Sequence, residues 1–258
     1  MSEARRGFDW RGLVIPVGFV VAAEIASRVT RFDDSLLAAP SAIVAAFWTA
    51  LLDGTLLHAT FATLATTLAG LALGTLLGLV AGILLGLVPT AERLMEFSIE
   101  AFRPIPAVAL IPIALLVFGF GYRMEIAIVA FAAFWPILVL TRAAVGGVEP
   151  RLLQVAHALG FGVASRIWKI VLPAALPRIF VAFRLAAGIA LIVAVTVEIA
   201  ANPLGLGYNM ILAQQTLRPE LMLALLVWLG ILGWGLNRLL LWSQFRFFGP
   251  AAAIRIER

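Results

Sequence analysis

The stretch ATFATLATTLAGLALGTLLGLVAGILLGLV, residues 59–88, carries no charged side chain from Ala59 to Val88. About 20 mainly apolar residues in a helix cross the hydrocarbon core of a bilayer, so this run predicts a transmembrane helix with turns to spare. Gly70, Gly74, Gly78, Gly82 and Gly86 recur in it at every fourth position and line one helix face. A small-xxx-small stripe lets a second helix approach at backbone distance, so the stripe is read as a packing face rather than a solute contact. Whether the facing helix belongs to this chain or to a second copy is open at this point.

Outside this run the composition is of the same kind. The chain has 258 residues, 63% hydrophobic and 13% charged, against about half apolar and a quarter charged for soluble domains. Five further apolar runs lie at residues 12–29, 105–120, 126–141, 179–200 and 221–242. The prediction is an all-α, polytopic membrane protein of about six transmembrane helices, forming a single domain over residues 1–258.

Nineteen basic residues outnumber fourteen acidic ones, for a net charge of +5. In a soluble protein that excess would point toward nucleic acid. In a membrane protein it marks cytoplasmic loops, and no nucleic-acid partner is expected. Six spans with the N-terminus inside leave only Arg28, Arg31, Arg123 and Arg218 on the outer side. Both termini are therefore predicted cytoplasmic. Arg5 and Arg6 ahead of Leu13 to Ala23 resemble an export signal. The apolar run continues past Glu24 to Val29 without a clear cleavage site, so a retained first helix is expected. There is no cysteine, and His58 and His157 are isolated, which excludes disulfides and zinc motifs.

The connecting segments add detail. Pro40-Ser41 opens an amphipathic run from Ala42 to Leu52 that Asp53-Gly54 closes, the signature of a short interfacial helix. The third apolar run begins Arg103-Pro104-Ile105-Pro106 and contains Pro112. Prolines remove backbone donors, which a bilayer tolerates where protein or a water-filled cavity satisfies the freed carbonyls. Pro104 and Pro106 are thus candidate translocation-pathway residues. So are Glu198, near the outer end of the fifth run, and the following Asn202, because ionisable groups in spans are functional candidates. Glu24 is read as structural, and Arg184 and Arg238 as snorkelling to the cytoplasmic surface. No cation is expected at mid-membrane, so an anionic solute would have to be recognised by hydroxyls, amides and helix N-termini, or by an external protein.

The least membrane-like part of the chain is the predicted cytoplasmic loop at 150–173. From Pro150 to Gly160 it has helical apolar spacing and a glycine stop, consistent with a left-handed cap. A second short helix is expected from about Ala164 to Val171, ending at Leu172-Pro173. Within the loop stand Gln154-Val155-Ala156, three residues, Gly160, nine residues, Ile170, one residue, and Leu172-Pro173.

That pattern resembles the EAA loop of binding-protein-dependent ABC importer permeases, Glu-Ala-Ala-x3-Gly-x9-Ile-x-Leu-Pro. Gln154 and Val155 depart from it, while Ala156, Gly160, Ile170, Leu172 and Pro173 match with spacing intact. Ala39-Pro40-Ser41, Arg103-Pro-Ile-Pro106 with Leu110-Ile-Pro112, Phe118-Gly-Phe-Gly121, Pro173-Ala-Ala-Leu-Pro177, Gly205-Leu-Gly-Tyr208 and Ala213-Gln-Gln215 extend the resemblance to the nitrate, sulfonate and taurine permease group. The resemblance implies a type I, MetI-like core with cytoplasmic coupling helices, set in a bacterial inner membrane. It implies as partners two ABC ATPase subunits, a periplasmic or lipid-anchored solute-binding protein and a second permease copy. The solute it implies first is an oxyanion such as a sulfonate, taurine or nitrate, but the same group includes permeases for heterocycles and aromatic acids, so the solute is not fixed by it.

The chain has one lysine, Lys169, outside any G-x-x-x-x-G-K-[ST] motif. ATP and Mg are therefore expected on a separate ATPase, with no cofactor in this chain and no catalysis by it. The alternative is an ion-coupled secondary transporter using Glu24, Glu125 or Glu198 as proton relays. It would need inverted repeats and paired intramembrane charges, and no convincing repeat is visible.

Overall fold

The computed structural model describes residues 11–29 and 38–249. Arg5, Arg6 and Arg31, used in the signal and charge arguments, lie outside the described residues, as do both termini. Every regular element among the described residues is helical: α1 (Arg11–Val29), α2 (Pro40–Leu52), α3 (Thr55–Leu87), α4 (Pro89–Phe102), a 3-10 turn (Ala107–Leu110), α5 (Ile111–Phe118), α6 (Tyr122–Gly146), α7 (Pro150–Ala158), α8 (Val163–Arg166), a π-helical turn (Ile167–Val171), α9 (Leu172–Ala200), α10 (Gly205–Gln215) and α11 (Pro219–Phe248).

Four helical stretches among the described residues are long and apolar enough to cross a membrane, Thr55–Leu87, Tyr122–Gly146, Val163–Ala200 and Pro219–Phe248. A fifth results if the bent pair α4 and Ala107–Phe118 is taken as one span. Helix α1, 19 residues long, covers the first apolar run. The third run is the one whose structure departs most from a simple helix. Helix α4 ends at Phe102, the chain turns by 82°, and α5 occupies only Ile111–Phe118. Two prolines in three residues remove two donors, and Pro106 sits at extended backbone angles, φ −63° and ψ 123°, so no helix can run through.

The chain forms two compact units, one of Met1–His58 with Asn209–Leu229 and one of Ala59–Tyr208 with Gly230–Arg258. In the first, Glu24 has a structural role. Its carboxylate accepts the Ser41 N–H at 3.0 Å and the Ser41 hydroxyl at 2.9 Å, and pairs with Arg28 at 2.6 Å. The acid thereby satisfies an orphan donor at the start of α2, which has no capping side chain of its own. Phe47 packs on Trp228 with ring centroids 5.6 Å apart. Asp53 accepts the Thr55 N–H at 2.9 Å at the start of α3, and this bond, followed by one from the Thr55 side chain, holds its carboxyl below the usual range.

In the second unit the glycine stripe finds its facing helix inside the chain. A Cβ at Gly70 would fall 2.6 Å from Val129 Cβ, one at Gly78 2.8 Å from Ile137 Cγ2, and one at Gly86 2.8 Å from Val145 Cβ. All three belong to α6, so α3 and α6 meet at backbone distance. On its other side α6 packs against α9. Leu71, Val129, Ala133 and Ile137 share a buried core with Ala182, Ala186, Ala187, Ala190 and Ala194. The alanine row on α9 brings the two helices close for the same steric reason as the glycines. A second core of Ala144, Val145, Val148, Val171, Ala175 and Ile179 joins the end of α6 to the segment that leads into α9.

Candidate functional site

Residues 150–173 fold as a stiff elbow. Helix α7 begins at Pro150, where the missing N–H costs nothing. It ends as the pattern predicts, with Gly160 at φ +65°. The Phe161 N–H reaches back to the Ala156 carbonyl at 3.0 Å, and Leu159 N–H to Val155 at 3.0 Å. A side chain with Cβ is strained at that φ, so glycine allows the reversal. Ala156 is fully buried, whereas Gln154 and Val155 are exposed.

The second helix does not end at Leu172-Pro173 as expected from sequence. It starts at Val163 and runs without a break into α9, as one stretch Val163–Ala200. Pro173 cannot donate to the Lys169 carbonyl, and its ring crowds that oxygen. The wider π-helical turn at Ile167–Val171 directly before it absorbs the mismatch. Ile170 and Leu172 are half-buried, and Val171 anchors the elbow on α6. Lys169 Nζ lies 5.2 Å from the centre of the Phe161 ring, linking the two arms. Leu159, Val163 and Trp168 point outward, 63%, 67% and 70% exposed.

A second constellation is polar and buried. Glu125 at the start of α6 accepts the Thr66 hydroxyl of α3 at 2.5 Å through Oε1, and Asn202 Nδ2 donates to its Oε2. Glu198, in the last turn of α9, accepts the Gly207 N–H at 2.8 Å, and Thr63 of α3 accepts the Leu206 N–H at 2.9 Å. The first N–H groups of α10 are thus taken by side chains of α3 and α9, as helix N-termini require. Thr63, Thr66, Glu125, Glu198 and Asn202 are all at most 2% exposed. Glu198→Ala would orphan the Gly207 N–H, a loss of about 1–3 kcal/mol. Glu198→Gln keeps an acceptor oxygen there. Thermal melting of the purified protein is expected to drop for the alanine variant and to stay near wild type for the glutamine variant.

The four pathway candidates separate into two places. Glu198 and Asn202 share the buried cluster, while Pro104 and Pro106 lie in the exposed bend before α5. From sequence, Glu125 entered only as a proton relay of the ion-coupled alternative, and Thr63 and Thr66 were passed over. Those threonines, spaced three apart in a run with no charged residue, were the available signal. Arg103, itself exposed, lines a cavity with Phe131 and Trp135 of α6 and Ile189 of α9.

Comparison with known proteins follows the same lines. The family described as "Binding-protein-dependent transport system inner membrane component" matches residues 74–251. The aliphatic sulfonates transport permease SsuC of Escherichia coli K12, itself named putative, is 32% identical over 219 residues, covering 85% of this chain and 83% of the relative. The riboflavin transport permease RibX of Chloroflexus aurantiacus is 32% identical over 203 residues, covering 78% and 76%. The taurine permease TauC of Escherichia coli K12 is 31% identical over 136 residues, covering 53% and 50%. Among solved structures, an amino acid ABC transporter crystallised with histidines superposes with a TM-score of 0.64 at 19% identity, covering 78% of this chain and 98% of that one. An inward-facing MetNI methionine transporter superposes at 0.57 and 21% identity, covering 70% and 92%. These two establish the fold. These relatives offer the ion-coupled alternative no support, and the chain belongs to the binding-protein-dependent inner-membrane transport family, as a multi-pass permease of an ABC importer.

Proposed function

We propose that two copies of this permease, two ATPase subunits and a periplasmic or lipid-anchored solute-binding protein import a small organic oxyanion of the sulfonate or taurine type. Nitrate is the inorganic member of the same solute class. Both termini face the cytoplasm of a bacterial cell with the bilayer as the inner membrane. ATP and Mg reside on the partner ATPase, and this chain contributes no catalytic group and no cofactor.

The observation that carries this reading is the elbow. It is capped at Gly160, anchored by Val171, continuous with α9, and presents Leu159, Val163 and Trp168 to the outside. An ATPase that grips such an elbow moves α9 directly, because no flexible joint lies between them. The resemblance to SsuC and TauC supports the solute class.

The test is reconstitution of the permease with its ATPase in liposomes, binding protein outside and ATP inside. Uptake of ethanesulfonate or taurine is expected to require all three components, and the isolated complex to have a 2:2 mass. Uptake that persists without ATP and collapses with the proton gradient would overturn the reading. Trp168→Ala removes the largest exposed anchor of the elbow. An interface hot spot of this type contributes about 2 kcal/mol or more, so ATPase retention on the immobilised permease is expected to weaken by at least about tenfold.

A further inference from the structure

The cavity beside the proline bend has a volume of about 430 Å³, within the range of about 300–1,000 Å³ for small-molecule sites. Its walls come from the bend and from the central turns of α6 and α9. Arg103 is the one charged residue among those lining it, and no carboxylate faces it there. No ion pair or side-chain hydrogen bond engages the Arg103 guanidinium among the described residues. The indole Nε1 of Trp135, another wall residue, is buried without an acceptor. Arg103 is itself exposed, so its unpaired guanidinium is open to an anionic ligand beside an apolar wall.

We propose that this cavity is a solute subsite for an organic anion. The guanidinium of Arg103 takes the oxyanion head, and the wall of Phe131, Trp135, Val139, Leu185 and Ile189 takes its alkyl or aryl group. The inference rests on the reading of the chain as an organic-oxyanion permease and adds to it the residues and the selectivity. Arg suits the role because its planar fork presents parallel donors to two oxygens of a sulfonate. Pro136 interrupts the α6 ladder at Ala132, and both residues belong to the wall. Nitrate would satisfy the cation and leave the apolar wall in contact with water. An alkanesulfonate satisfies both, and each methylene buried there adds about fourfold in affinity.

The test uses the permease–ATPase complex in lipid nanodiscs, without binding protein, and equilibrium dialysis of labelled hexanesulfonate, methanesulfonate and nitrate. Hexanesulfonate is expected to bind at least about tenfold more tightly than methanesulfonate, with nitrate weaker still. Arg103→Gln is expected to weaken hexanesulfonate by at least about tenfold, with Arg103→Lys in between. Ile189→Trp, which fills the cavity from α9, is expected to weaken hexanesulfonate and to leave methanesulfonate within about threefold. If Arg103→Gln is not recovered as a complex, the Ile189→Trp pair of measurements decides. Absence of saturable binding, nitrate binding as tight as hexanesulfonate, or unchanged binding in these variants would overturn the subsite. Uptake in the liposome assay without binding here removes the subsite alone. Binding here without ATP-driven uptake removes the importer reading of the solute and keeps the subsite.

Discussion

Leucine at both Gly78 and Gly82 is expected to leave almost no folded permease in the membrane. A Cβ at Gly78 would fall 2.8 Å from both Ile137 Cγ2 and the Phe134 carbonyl, and one at Gly82 2.7 Å from Thr141 Cβ and 2.8 Å from the Leu138 carbonyl. A side chain can rotate away from such a contact, but a helix carbonyl cannot. Helices α3 and α6 would have to separate along their length, surrendering the close contacts at Gly70, Gly74 and Gly86 as well. Overpacking costs about 1–3 kcal/mol at each site, against a total stability of about 5–15 kcal/mol for an ordinary fold. Fluorescence-detected gel filtration and thermal melting after mild solubilisation provide the readout. Gly230→Leu in α11 is the control, since a Cβ there meets nothing within 4 Å. A double variant that elutes and melts like wild type would show that the stripe does not set the distance between α3 and α6.

The second large effect is expected from Ala156→Asp. Ala156 is fully buried in α7, and its carbonyl accepts the Phe161 N–H that closes the elbow. A carboxylate placed there has no partner and must either drag α7 off its seat or remain buried at a cost of several kcal/mol. The buried cores that join α3, α6 and α9 contain no residue of α7, so the protein is expected to reach the membrane folded. ATP-driven uptake and stimulation of ATP hydrolysis by the binding protein are expected to fall by at least about tenfold. Gln154→Glu, at an exposed position of the same helix, is expected to leave uptake within about twofold. An Ala156→Asp variant with normal uptake would separate the elbow from energy coupling.

These two expectations differ in how far the sequence alone reaches. The coupling elbow is legible because it is local: Pro150, Gly160 and Pro173 set start, reversal and bend within one segment, and each acts on its own neighbours' backbone. Even so, the continuity of Val163–Ala200 is not legible. A proline after an apolar turn reads as a stop, and only the π-helical turn at Ile167–Val171 lets the helix pass it. The buried cluster is illegible for a different reason. Glu125 and Asn202 are 77 residues apart, and Thr63 and Leu206 143 apart. No spacing rule connects such positions.

By itself the sequence determined the solvent of this protein, the apolar runs, the glycine face of α3 and the local geometry of the coupling elbow. Each of these follows from the side chains of one contiguous segment and the period of a helix. The tertiary structure decided which helix the glycine face meets, which hydrogen bonds hold the start of α10, and where Arg103 ends up. Hydropathy reads position along the chain, and by that measure Arg103 belongs to a charged segment at the membrane edge. Two prolines in three residues accompany an 82° turn of the chain, and beside that turn Arg103 lines a cavity whose other wall is made by the apolar residues of α6 and α9.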